Sequence, residues 1–413
     1  MSTESNPSHK GLRVADLVQS GEGQTAAIER AAGVYESRGV GNSYLLTTPA
    51  GDVLVNAGVL RDARRGRELF SKVSKGPLRY IILTQSHANQ YGGLEIYKTP
   101  DNQVIAHRSY PEDRRYGEAL SAHYRRITRR MWGEIAGRTP DIVPTKEVAP
   151  DLLVGDRHAF ELGGRRFEII STPGGETRSA VIVWLPQERI AIVGNLFGPI
   201  FGNHPNLNTL RGDKPRWALQ FVDSIKTLRS LKPELLLTGH EAIRGADHIE
   251  REVTRIIDSV LWVHDYTVKG MNAGVDLRTL MREIQVPPEL ALTEEYGKVS
   301  WNVRATWHEY TGWFDSARGT TDLYGVPPSS VAPAIVELAG GADRISERAR
   351  DFVANGKPLE ALHLLDIALA AEPDSAQGRD VKRAALERLL EQTGGRNFWE
   401  RMWIAAEIRE LGG

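Results

Sequence analysis

The first half of the chain is built from apolar runs too short to make helices. Tyr80-Ile81-Ile82-Leu83-Thr84, Phe167-Glu168-Ile169-Ile170, Ala180-Val181-Ile182-Val183-Trp184, Ile190-Ala191-Ile192-Val193 and Leu235-Leu236-Leu237-Thr238 are such runs. A short, nearly continuous apolar run ending in polar residues predicts a strand covered on both faces. Val104-Ile105-Ala106 continues the series. Ser43-Tyr44-Leu45-Leu46-Thr47-Thr48, a Pro-Ala-Gly-Asp turn and Val53-Leu54-Val55-Asn56 predict a hairpin. A helix is expected between the strands over about 112–136, rich in arginine on one side. Strands alternating with helices make mixed sheets covered by helices, an α/β fold.

From about residue 247 the strand pattern stops. Residues 247–272, 276–284 and 300–311 read as helices, and at least four amphipathic helices are expected from Ala332 onward. The pair over about 343–355 and 358–372, joined by Asn-Gly-Lys-Pro, resembles one helix-turn-helix repeat of the tetratricopeptide kind. Such helices need a surface to cover, either within the chain or on a second copy.

A chain of 413 residues is too long for one ordinary core. The expected division is a disordered lead-in over 1–25, a mixed-sheet domain over 26–250 and a helical domain over 251–413. The net charge of −1 gives no electrostatic reason for a nucleic-acid or anionic-membrane partner. There is no long apolar run and no apolar leader segment, so a cytoplasmic protein is expected. With no cysteine, disulfides, thiolate ligands and a cysteine nucleophile are all excluded.

The segment Thr84-Gln85-Ser86-His87-Ala88-Asn89-Gln90-Tyr91-Gly92-Gly93 directly follows a buried strand. It resembles the place where metallo-β-lactamase folds carry their His-x-His-x-Asp-His metal motif. Alternate residues of an extended segment project to one side, so the two histidines of that motif converge on one metal. Here the corresponding residues are Gln85, His87, Asn89 and Gln90, three of them uncharged amides. Thr172-Pro173-Gly174-Gly175-Glu176 is similar to the next ligand segment. Asn195 stands where the bridging carboxylate is expected, and Thr238-Gly239-His240 resembles the last ligand loop.

Longer matches point to the alkylsulfatase branch. Asn206-Leu207-Asn208-Thr209-Leu210-Arg211-Gly212 resembles that family's sulfate-site segment. Val299-Ser300-Trp301-Asn302-Val303-Arg304-Ala305 through Gly312-Trp313-Phe314-Asp315 resembles its long helical signature. The tail, including Arg396-Asn397-Phe398-Trp399, is similar to its dimerisation domain. The resemblance implies an αββα metallo-β-lactamase-like sandwich followed by an all-helical dimerisation domain, and a homodimer. Where the family segments have a tyrosine and a histidine, this chain has Asn208 and Trp301, and it stops before the family's lipid-carrier-like domain.

Two zinc ions need carboxylates to balance their charge and imidazoles as donors, and neutral amides supply neither. The expectation is therefore loss of the two-zinc site and no cofactor. One weakly held divalent metal on His87, His240 and Glu176 stays open. The expected enzyme is a metal-independent hydrolase or lyase acting on a small anionic or polar molecule. His87, His240 and Glu176 would be catalytic, and Gln85, Asn89, Gln90, Asn195, Asn206, Thr209 and Arg211 would bind substrate, with Arg178 near the rim. The alternative is a non-catalytic homodimer whose amides satisfy one another. His204 and His248 are spare candidate ligands. The arginines 114, 115, 125, 126, 129 and 130 are expected on a solvated helix face paired with Glu112, Asp113 and Glu134, or on an anion-binding rim.

Overall fold

The computed structural model describes residues 14–18, 21–136, 147–314 and 319–412. Two sheets form in it. The first contains β1 (Ile28–Ala31), β2 (Val34–Ser37), β3 (Ser43–Thr48), β4 (Gly51–Val55), β5 (Leu78–Ile82), β6 (Gln103–His107) and β7 (Leu152–Val154). These lie side by side in chain order. The second contains β8 (Arg157–Leu162), β9 (Arg165–Ser171), β10 (Val181–Leu185), β11 (Ile190–Gly194), β12 (Leu235–Thr238) and β13 (Ala242–Arg244), also in chain order. Parallel pairing occurs between β4 and β5, β5 and β6, β6 and β7, and β11 and β12.

The apolar runs divide between two faces at every second residue, as a pleated strand requires. Val53, Val55 and Ile82 of the first sheet meet Ile169, Val183, Ile192 and Leu237 of the second in one core. The alternate residues face outward. Leu54, Ile81 and Leu83 pack under the helix Leu60–Ser71 through Ala63 and Phe70. Ile182, Trp184 and Leu236 pack under the helices Ala218–Leu231 and Ala246–Asn272 through Phe221, Ile225, Val253 and Ile256. Helix, sheet, sheet, helix is the expected αββα sandwich.

The change from strands to helices near residue 250 is not where the chain divides into compact units. The first unit runs to Tyr310, apart from Arg130–Trp132. The reason is packing: the helix Ala246–Asn272 supplies the outer cover of the second sheet and so belongs to its core. The second unit, Thr311–Gly413 with Arg130–Trp132, holds five complete α-helices among the described residues. They are Ala332–Ala339, Ala342–Ala354, Pro358–Ala371, Ala376–Thr393 and Phe398–Leu411. Ala349, Ala361, Leu365, Val381 and Ala385 form the core of its helical hairpins. No described helix is long and apolar enough to cross a membrane.

Three expectations change. Within 1–25, Val14–Val18 is a short helix with Val14, Leu17 and Val18 buried; residues 1–13, 19 and 20 lie outside the described residues. The helix expected over 112–136 is two, Tyr110–Ala119 and Ser121–Ala136. Its arginines do not pair as expected. Arg114 pairs with Glu118 and stacks on Tyr91, while Glu112 and Asp113 take Arg178 from another loop. Arg130 pairs with Glu410 within the second unit. The side chain of Glu134 lies outside those described.

Candidate functional site

The site lies beyond the C-terminal ends of β5, β11 and β12, with the loop between β9 and β10 closing it. In mixed α/β folds this is where loops converge. Thr84 joins the two sheets there: its carbonyl accepts Val181 N–H at 2.9 Å. Asn56, in a left-handed conformation at φ 63°, accepts both the N–H and the hydroxyl of Thr84. The end of β5 is thus fixed before the chain turns into Gln85-Ser86-His87.

His87 precedes the short helix Ala88–Tyr91 in extended backbone, so its ring projects from the turn. Both ring nitrogens are engaged. Nδ1 lies 3.1 Å from Glu176 Oε2, and Nε2 lies 3.0 Å from Asp213 Oδ2. Burial disfavours the charged ring, but the hydrogen bonds to Asp213 and Glu176 outweigh it and raise the His87 pKa. The two carboxylates, one at each ring nitrogen, favour the protonated form of His87.

Glu176 is held in the left-handed region at φ 77°, a conformation costing a non-glycine residue roughly 1–2 kcal/mol. Its carboxylate is the hub that offsets this. Oε2 accepts from Gln85 Nε2 at 3.2 Å and Asn195 Nδ2 at 3.0 Å as well as from His87. Arg216 donates from Nε to the Glu176 carbonyl at 3.0 Å, and its Nη1 is 4.0 Å from Oε1. Burial alone would raise the Glu176 pKa; His87 and Arg216 drive it well below the ordinary carboxylate range. Asp213 is lowered in the same way, by His87, Arg211 and Arg216 against the cost of burial.

The amides continue inward as a chain. Gln90 Nε2 donates to Asn195 Oδ1 at 3.0 Å, and Asn195 donates to Glu176. Gly239 closes on this pair so tightly that a Cβ there would stand 2.0 Å from Asn195 Oδ1. Only glycine fits, and that close approach brings His240 to the cluster. His240 is 7% exposed, and its Nδ1 has no hydrogen-bond partner among the described residues. Burial pushes its pKa down to about 4, against a small opposing pull from Glu176, so the ring is neutral.

The structure therefore brings together Gln85, His87, Gln90, Glu176, Asn195, Arg211 and His240. Asn206 joins through its backbone, whose carbonyl accepts from Arg216. Thr209 is buried nearby in sequence, its hydroxyl unpartnered among the described residues. Asn89 departs: it packs on the Gly41 backbone, where a Cβ would meet its amide nitrogen at 2.9 Å, and it takes no part in the Glu176–His87 chain. Arg178 is half-exposed and pairs with Glu112 and Asp113, leaving Asp113 to bind Ser86 and the Ser179 N–H. His204 faces away, its nitrogens against Ser259 and Asn302, and His248 packs near the Phe201 ring. Sequence reasoning missed Asp213, which directly follows the Arg211-Gly212 pair, and Arg216, three residues further on. A second aspartate and arginine beside an anion-binding arginine were the available signal.

Residues 37–240 match the family model of the metallo-beta-lactamase superfamily, and residues 277–411 match that of alkyl sulfatase dimerisation. The chain belongs to the metallo-β-lactamase superfamily, in its alkylsulfatase-like branch. It is 26% identical over 402 residues to a linear primary-alkylsulfatase of Pseudomonas sp., covering 89% of this chain and 74% of that one. It is 24% identical to an alkyl/aryl-sulfatase of Saccharomyces cerevisiae, covering 91% of this chain and 63% of the relative. The solved sec-alkylsulfatase Pisa1 from Pseudomonas sp. has the same fold, with a TM-score of 0.82 at 22% identity, over 97% of this chain and 70% of that one. Superfamily sites hold metal through convergent histidines and carboxylates. Among the described residues of this alkylsulfatase-like chain, no three such side chains are arranged to hold an ion. Two surface cavities, lined by residues such as Glu188, Glu234 and Arg229, lie away from the His87 cluster.

Proposed function

We propose that this alkylsulfatase-like protein is a metal-independent hydrolase or lyase for a small anionic or polar molecule. His240 is its general base. The carrying observation is a division of protonation between two buried histidines. Burial holds His240 toward the neutral form, with Nδ1 unpartnered among the described residues, while two carboxylates clamp both ring nitrogens of His87 and favour its charged form. Groups whose environments push their pKa values apart mark acid–base assignments. A neutral imidazole with a free nitrogen takes a proton from water or from substrate carbon. His87, Arg211 and Arg216 against Glu176 and Asp213 leave a formal excess of one positive charge for an anionic group or a developing oxyanion.

The donor set does not fit two zinc ions. Gln85, Asn89, Gln90 and Asn195 are neutral and weak donors. The carboxylates of Glu176 and Asp213 lie on opposite sides of the His87 ring, so they do not converge on one point. Guanidinium groups already stand about the same carboxylates. A single ion on His87, His240 and Glu176 is disfavoured for the same reason, since His87 Nδ1 is spent on Glu176. The matched dimerisation region supports a homodimer built through the helical unit.

The test is elemental analysis of purified protein beside a hydrolase and lyase screen with sulfate, phosphate and carboxylate esters. Activity that survives chelation, with far less than one metal per chain, and that disappears in His240→Ala supports the reading. Near-stoichiometric zinc whose removal abolishes turnover overturns it. The closure of His87 by Asp213 favours a second reading, a non-catalytic binding homodimer. That reading predicts ligand binding without turnover and equal behaviour of His240→Ala and the parent.

A further inference from the structure

Asp213 is placed unusually for a structural ion-pair partner. One carboxylate oxygen, Oδ2, faces three cationic groups: His87 Nε2 at 3.0 Å, Arg211 Nη2 at 3.6 Å and Arg216 Nη2 at 3.9 Å. Only the first is within hydrogen-bonding distance. Oδ1 takes the Lys214 backbone N–H at 2.9 Å. Arg216 is 6% exposed, yet its Nη2 has no hydrogen-bond partner among the described residues. Buried donors left unmet each cost roughly 1–3 kcal/mol, so native sites rarely keep them without a ligand. The cationic cup is built for more acceptor oxygen than one aspartate supplies.

We propose that Asp213 is an internal, displaceable ligand of the cationic cup that His87, Arg211 and Arg216 form. The carboxylate of Asp213 mimics one oxygen of the external anion and occupies its place when none is bound. An incoming sulfate, phosphate or carboxylate group offers two or three oxygens. It takes the His87 Nε2–H and the two arginine donors together, and the unmet Arg216 Nη2 gains a partner. The position of Asp213 favours exchange. Its side chain is a quarter exposed, while Arg216 and Glu176 on either side are buried. It follows Gly212 at φ 77°, a backbone conformation that leaves the turn free of a Cβ. The charge balance has a direct consequence. With Asp213 in place the cup offers a formal excess of one positive charge together with Glu176; without it the excess is two.

This inference rests on the same cluster as the proposed function but not on catalysis, so it is read by binding alone. The probes are sodium sulfate, sodium phosphate and sodium acetate at constant ionic strength, with sodium chloride as the control. Binding is measured by calorimetry and by thermal upshift on the full chain, the parent beside Asp213→Ala and Asp213→Asn. Removing a carboxylate 3–4 Å from the bound anion should tighten sulfate or phosphate binding by about tenfold or more. Asp213→Ala/Arg211→Ala should lose most of that gain. A second readout keeps the idea testable if Asp213→Ala is unstable. In the parent, saturating sulfate should move the nitrogen resonance of His87 Nε2 while leaving that of the buried His204 unchanged. The proposal is overturned by equal affinities, within about twofold, in the parent and both variants. It is also overturned by sulfate binding that leaves the His87 signal unmoved. The relative strengths of the three anions name the preferred headgroup. Anion binding gained in Asp213→Ala without turnover would sustain this cup and sink the catalytic reading.

Discussion

Arg216→Met tests the electrostatics on which the site depends. The substitution keeps the apolar stem and deletes the guanidinium. Arg216 and Glu176 are 5% and 6% exposed, so neither is well screened by water. Nη1 and Nη2 lie 4.0 and 3.9 Å from the Glu176 and Asp213 carboxylates. Each contact at that distance is worth about 4 kcal/mol at an effective dielectric near 20, before the cost of burying the arginine is subtracted. Nε and Nη1 also satisfy the carbonyls of Glu176 and Asn206. Removing one partner of such a buried cluster costs roughly 3–5 kcal/mol, because the other charges stay behind. For a unit of this size that is a fall in melting temperature of about 5–8 °C. The dependence on pH follows from Glu176, whose pKa in the folded protein is lowered. Its contribution is present above the unfolded carboxylate value of about 4.3 and is lost as pH falls through the folded value. The gap between parent and variant should therefore be full at pH 7 and narrow below about pH 4 as the unpaired carboxylate of the variant takes up a proton. Thermal unfolding of both proteins across that range reads it, and Arg216→Met/Glu176→Gln should cost less than the sum of the single changes. A loss under about 1 kcal/mol at pH 7, or additive single changes, would refute the buried ion cluster.

Other outcomes follow from particular residues. His204 and His240 are both pushed down to about 4 by burial, so the unfolded chain takes up protons there that the folded chain refuses. Stability should fall as pH drops from about 6.5 to 4, by up to about 1.4 kcal/mol per pH unit for each ring, and His240→Gln should flatten part of that slope in chemical denaturation. Gly239→Ala should destabilise the first unit by about 1–3 kcal/mol, read from its denaturation midpoint, because the new methyl group meets Asn195 Oδ1. A midpoint equal to the parent's would contradict the close approach. Light scattering of the full chain should give twice the chain mass, and Leu338→Glu, at a side chain 89% exposed in the helical unit, should shift it toward the monomer. A dimer unaffected by that charge would place the interface elsewhere.

The apolar runs made most of the sandwich legible, because alternation along a strand is a local property. β3 and β4 form the expected hairpin, and β5, β6 and β9–β12 lie on the expected runs. The strands that were missed, β1, β2, β7, β8 and β13, are short or lie at sheet edges, where polar residues such as Glu29, Arg157 and Glu161 weaken the alternation. The expected long helix over 112–136 divides at Leu120, since periodicity does not register a one-residue break. The candidate site was legible wherever a residue sat in a recognisable segment, as at Gln85, His87, Glu176, Asn195, Arg211 and His240.

What the sequence determined by itself was chemical type: neutral amides among histidines at the ends of buried strands, followed by an all-helical region. Tertiary structure alone decided protonation and partnership. His87 and His240 are the same residue type in similar turns, yet one is pushed toward the charged form and the other toward the neutral one. Asp213, 126 residues from His87, closes on one ring nitrogen, while the Nδ1 of His240 has no hydrogen-bond partner among the described residues. A side chain's charge depends on the burial and charges around it, and loops without periodic pattern set those only when the whole chain is folded.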